Sequence, residues 1–207
     1  MNAPNLNAGL KWLLLYPVLL FSLPIQAQSL SNVQKSGVYA ADKVKVDGKA
    51  TELNNSFQAY NKAIDCFYTI SNDDNNLHLT VQVRLPQIVS KVLMGGITLS
   101  ISPSRDKKNP SCIQVTFPVL EAADRRKLTN MTAGKWIKMK ESKSEEIDVN
   151  DLNNLLSIHS KSINVIGLGI PEQSLSIYNQ EGIKAAALFD SKMFYTFELE
   201  LSLQYIK

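Results

Sequence analysis

The sequence predicts an all-β fold, a two-sheet antiparallel β-sandwich with short helical insertions, on three observations. In NLHLTVQVRL the apolar residues Leu77, Leu79, Val81, Val83 and Leu85 alternate with His78, Thr80, Gln82 and Arg84, the period-two pattern of a strand with one apolar and one polar face. The run FYTFELELSL repeats that alternation near the C-terminal end, with Tyr195, Phe197, Leu199 and Leu201 against Thr196, Glu198, Glu200 and Ser202. Each central strand run is closed by a turn signal, and neither a βαβ alternation nor a repeat of fixed period occurs. Many short strands with one long excursion suit two sheets that each bury one face.

Residues 1–27 read as a secretory signal. Lys11 is the one positive charge, an apolar run spans 12–23, and Ile25-Gln26-Ala27 ends in a small residue suited to cleavage. Pro17 and Pro24 interrupt a run shorter than the ~20 residues a spanning helix needs. A mature chain starting near Gln28, with no cysteine nearby for lipid attachment, is expected in the periplasm or the medium and not in a membrane. Residues 28–42 form an extended N-terminal arm and 43–207 a single sandwich domain.

Within that domain, residues 44–48 (VKVDG) read as a short first strand closed by Asp47-Gly48, and 51–60 as a loop. The runs KAIDCFYTISND, NLHLTVQVRLP, GGITLSISP and SCIQVTFP supply the central antiparallel strands. Asp73-Asp74-Asn75-Asn76 makes a tight connection between the first two, since short Asp and Asn side chains bond their own backbone. Residues 86–94 space Ile88, Val89, Val92 and Leu93 at helical intervals, and 118–132 repeat that spacing with Leu120, Ala123 and Leu128. Residues 138–154 are densely charged and read as a solvent-facing excursion. Strands return at 162–171, 175–179, 182–190 and 194–203.

The formal net charge of the 207-residue chain is +3, and removal of Lys11 brings it closer to neutrality. Nucleic acid and anionic membranes both call for clustered Lys and Arg; the one short basic cluster, 105–108, reads as a solvated loop. Cys66 and Cys112 are the only cysteines. An exported compartment permits them to pair, and whether they do depends on register. With His78 and His159 as the only histidines, they do not make a structural zinc site.

Asp73, Asp74 and Asn76 carry the hard oxygens that calcium takes, and equally the chemistry of a hairpin turn. Trp136, the only tryptophan after residue 27, reads as an aromatic plate in a loop on which a sugar ring stacks, or as a plug anchoring that loop to the core. Tyr60, Tyr68 and Tyr178 are further aromatic candidates, with Arg84 and Asn179 as polar ones. No nucleophile elbow, metal-binding histidine spacing or glycine-rich phosphate loop is present, so an enzyme is not expected.

In order and punctuation, several of these runs resemble the family 9 carbohydrate-binding module and its wider DOMON relatives. The matching stretches are Val44 to Gly48, the strand and hairpin from Phe67 to Leu79, Gly95-Gly96-Ile97-Thr98-Leu99 with Ile101-Ser102-Pro103, Phe117-Pro118, Gly182 to Ala185 with Phe189-Asp190, and Tyr195 to Leu201. The resemblance implies an exported β-sandwich that binds a saccharide or polysaccharide without catalysis and without a cofactor. Sugar-binding members clamp the ring between two tryptophans. Here Lys49-Ala50-Thr51-Glu52-Leu53-Asn54 follows Asp47-Gly48, and Leu201-Ser202-Leu203 ends the last strand, so both positions lack tryptophan. That departure implies a weak or degenerate sugar site, or a protein-interaction or surface-assembly module. The DOMON relatives also imply a haem carrier with Met and His ligands, for which Met94, Met131, Met139, Met193, His78 and His159 are the available residues.

Overall fold

A computed structural model describes residues 30–40, 44–54, 56–102 and 112–206. The signal segment 1–27 and the basic cluster 105–108 lie outside the described residues. The strands are β1 (Val38–Tyr39), β2 (Ala59–Asn61), β3 (Cys66–Asn72), β4 (Asn76–Val83), β5 (Ile97–Ile101), β6 (Ile113–Val119), β7 (Ser162–Ile166), β8 (Ser174–Ser176), β9 (Ile183–Phe189) and β10 (Tyr195–Ser202). The helices are α1 (Pro86–Gly95), α2 (Ala122–Glu141) and α3 (Asn150–His159). The chain is therefore mostly β, with two mainly antiparallel sheets and a few helices. Among the described residues no helix is long and apolar enough to cross a membrane.

One sheet runs β1-β3-β4-β10-β9, with β2 also paired to β3; the other runs β5-β6-β7-β8. The alternation read from sequence sets the register. Leu79 opposes Leu199 and Val81 opposes Phe197 on one face of the larger sheet, while Thr80 opposes Glu198 and His78 opposes Glu200 on the other. From the smaller sheet, Phe117 of β6 stacks on Phe197 of β10 on that apolar face, with centroids 6.0 Å apart. Val115, Ile163, Val165 and Leu175 complete that shared core.

Turn chemistry fixes the hairpins. Asp73 Oδ1 accepts the Asn75 and Asn76 amides, each at 2.7 Å, and Asp190 Oδ1 accepts those of Lys192 and Phe194. Helix α1 begins at Pro86, whose missing N–H is not needed in a first turn, and ends at Gly96. Gly96 has φ +75, and a Cβ there would lie 2.9 Å from the Pro118 carbonyl oxygen. Only glycine fits that junction between α1 and β5.

Four expectations are corrected. Residues 44–48 form a turn laid over the larger sheet rather than a first strand. The first strand lies instead in the arm, where Val38 and Tyr39 pair in parallel with Ser71 and Asn72. The predicted helix of residues 118–132 starts later and is longer, taking in Trp136, because Leu128, Met131, Trp136 and Met139 form a sparse stripe against the core. The excursion at 138–154 holds the last turn of α2 and the start of α3, whose Leu152 and Leu156 are buried. The charges just before α3, Glu145, Glu146 and Asp148, hide that stripe from a composition reading.

The fourth correction concerns the polar face of the larger sheet, which is covered rather than wet. Thr69, Ser71, His78, Thr80, Gln82, Thr196, Glu198 and Glu200 are all buried. Asp47 and Gly48 lie over Glu198, and the Gln58 amide bonds Thr69 Oγ1. The exposed backbone of β3 is sealed in the same way: β2 pairs with its start, the Gln34 side-chain amide bonds both N and O of Ile70 at 2.7 Å, and β1 pairs with its end. Such covering removes an open edge that would otherwise template aggregation.

Candidate functional site

Two places in the described residues bring chemistry together. The first is a cavity of about 530 Å³ at one side of the shared core, within the roughly 300–1,000 Å³ typical of small-molecule sites. It exists because β5 is the last strand of its sheet on that side, so the inner faces of β3 and β4 extend past it uncovered. Its floor is Cys66, Leu79, Val81 and Val83, all buried; Tyr68 and Ile70 form one wall, and α1 with β5 the other. Burial pushes the Cys66 thiol up to about 11, so at neutral pH the sulfur is part of an apolar surface and not a nucleophile. The rim holds Ile64, which is 55% exposed, with Asp65 and Lys91.

The second is the buried polar layer on the opposite face. Glu198, 2% exposed, accepts the backbone N–H groups of Asp47 (2.9 Å) and Gly48 (2.8 Å) through Oε2. Among the described residues no cation forms an ion pair with it, and burial raises its carboxyl to about 7 against the pull of those two N–H donors. Gly48 sits at φ +84 with the position of a Cβ only 2.8 Å from Ala187 C and Leu188 N, so the turn presses directly on β9. Beside it, Lys184 Nζ bonds Glu200 Oε1 at 2.6 Å. His78 Nε2 is 3.0 Å from Asp73 Oδ2; a carboxylate only accepts, so Nε2 carries the proton. That ring bond, followed by the Asn75 amide, holds the Asp73 carboxyl well below the usual carboxylate range. His78 Nδ1 is buried without a hydrogen-bond partner, 3.9 Å from Glu200 Oε2. Through Glu198 this layer holds the covering turn at Asp47 and Gly48, and Thr69 Oγ1 accepts the Gln58 amide.

The residues singled out from sequence do not converge. Tyr68 lines the cavity, and its hydroxyl donates to Asn32 O while accepting from Gln34 N. Arg84 lies on the other face of the sheet, stacked 4.0 Å from the Phe67 ring centroid and 5.0 Å from that of Phe194, with burial lowering its basicity. Asn179 caps its own turn, donating to Ser176 O and Ile183 O. Tyr178 stands 73% exposed at that turn, with Lys161 Nζ 3.2 Å from its hydroxyl. Trp136 is on a helix rather than in a loop and packs partly buried against the core, with its indole Nε1 buried and without a hydrogen-bond partner. Tyr60 donates to Asp65 at 2.7 Å.

Asp73 spends its oxygens on the hairpin amides and His78, and Asp74 accepts the Tyr39 hydroxyl. Among the described residues no group of three or more His, Cys, Asp or Glu could hold a metal ion. For haem, His78 is buried on the polar face of the larger sheet while Met193 is a core residue in the turn between β9 and β10, His159 bonds Asp124 at 2.9 Å between α3 and α2, and no methionine lines the cavity. Cys66 and Cys112 are both free, one in each sheet region. Comparison with protein-family models, curated proteins and solved structures finds no match.

Proposed function

We propose that the chain is an exported, non-catalytic binding module built as a β-sandwich, and that its ligand is a small molecule whose apolar body enters the cavity between the sheets. One observation carries the reading: a cavity of about 530 Å³ is lined mainly by aliphatic side chains in an interior that protein packing normally fills. The signal-like residues 1–27 and the resemblance to exported binding modules support the compartment and the absence of catalysis. The apolar lining favours a ligand with a hydrocarbon surface over a bare saccharide. A second reading, weak saccharide binding at the surface, is supported by the exposure of Tyr178.

A neutral, polarity-sensitive probe, N-phenyl-1-naphthylamine, tests the first reading by fluorescence on the mature chain. Val81→Phe places a ring into the cavity from its floor, and we expect the probe to bind wild type and to lose at least tenfold in affinity for the variant, whose thermal stability stays within a few degrees. Absent binding to wild type, or equal binding to both, contradicts the reading. A saccharide array with Tyr178→Ala tests the second: signal lost in the variant supports it, and silence across the array removes it.

A further inference from the structure

We infer that the cavity selects a single-chain amphiphile with an anionic end, its hydrocarbon chain between the sheets and its charge at Lys91. The inference rests on the cavity being a ligand site, and two features of the rim carry it further. Helix α1 presents Ile88, Lys91 and Val92 to the cavity, positions three and four apart that share one helix face. Lys91 therefore stands on the same stripe as two apolar wall residues, with its stem along the lining and its ammonium at the solvent end. No ion pair holds that ammonium among the described residues, whereas Lys45, Lys135 and Lys184 each have a carboxylate partner.

The opposite charge at the rim is differently placed. Asp65 also lines the cavity, and its Oδ1 accepts the hydroxyl of Tyr60, a residue outside the lining. That bond draws the carboxylate toward the β2–β3 side, leaving Lys91 as the rim charge without a partner. Ile64, beside Asp65, is a large apolar residue left 55% exposed at the mouth. An alkyl chain longer than the cavity is deep covers it on the way out, which a compact apolar ligand does not.

Three ten-carbon ligands that differ only at the end group, decanoate, decanol and decylammonium, test the inference when titrated into the mature chain below their aggregation concentrations at pH 8. We expect decanoate to bind about two- to fivefold tighter than decanol, the size of one exposed ion pair, and decylammonium to bind weakest. That preference shrinks with added salt and disappears in Lys91→Gln, which leaves decanol affinity unchanged. Equal affinity for all three, or tightest binding by decylammonium, overturns the inference while leaving the cavity as a ligand site. No binding by any of the three overturns both.

Discussion

The two sides of the layer between the sheets differ in how completely they are filled. On the side of β6, β7, β9 and β10 the inward residues Phe117, Ile163, Val165, Ile183, Phe197 and Leu201 are sealed from solvent, and Phe117 stacks on Phe197. On the side of β3 and β5 the equivalent inward residues Tyr68, Ile70, Ile97 and Leu99 are only partly buried and surround a cavity. Both sides carry the same alternating apolar pattern. What separates them is strand number, six in one sheet and four in the other among the described residues, so the filled side should account for more of the stability, and the open side is where the proposed ligand would enter.

That division is broken most sharply by truncation. Phe197→Ala removes a ring from the sealed side and should cost about 3–5 kcal/mol, while Leu99→Ala on the open side, where solvent already reaches the side chain, should cost under about 2 kcal/mol. Urea unfolding of both variants measures the difference, and equal losses would erase it. Gly48→Ala tests the cover on the far face of the larger sheet. An alanine there meets the β9 backbone and an unfavourable φ at once, so a loss on the order of 2 kcal/mol is expected, with new protease cleavage within residues 44–58.

Glu198 makes the cover sensitive to pH with a definite sign. Its carboxyl is raised from an ordinary 4.5 to about 7, so the folded chain holds that proton more tightly than the unfolded chain. The stabilisation is complete below about pH 4.5 and is lost as pH rises through about 7, a change on the order of 1–3 kcal/mol. Asp73 works in the opposite sense: its carboxyl is lowered by His78 and the hairpin amides, and its contribution, present above the ordinary value of 3.8, is lost as pH falls below it. Glu198→Gln should flatten the stability profile between pH 4.5 and 7 and leave the acid limb in place. An unchanged slope would show that another group titrates there.

Trp136→Ala carries the smallest expected effect on the comparison. The indole packs half-buried on α2, so its loss should cost about 1–2 kcal/mol of stability while leaving cavity binding of N-phenyl-1-naphthylamine intact. A variant that folds normally and loses binding would return the site to α2.

Much of the sheet structure is legible in the sequence because both long strands alternate strictly, and because Asp73 and Asp190 announce their hairpins. The helices are less so. The apolar stripe of α2 is four residues diluted among charges, and α3 is hidden behind a run of Glu and Asp that composition assigns to solvent. The covered polar face is not legible at all, since Thr80, His78, Glu198 and Glu200 have the composition of a wet surface. What covers Glu198 is a turn 150 residues away in sequence, held by that carboxylate accepting the amides of Asp47 and Gly48. The cavity leaves no local pattern either, because it arises from the difference in strand number between two sheets and not from any residue that lines it.

Methyl NMR of the mature chain titrated with decanol tests the division most directly. Shift changes are predicted at Ile70, Leu79, Val81, Val83, Ile88, Val92, Ile97 and Leu99, which line the cavity, with none at Ile163, Val165, Leu175 or Leu201 on the sealed side. Changes spread evenly over both groups, or confined to the sealed side, would contradict the account.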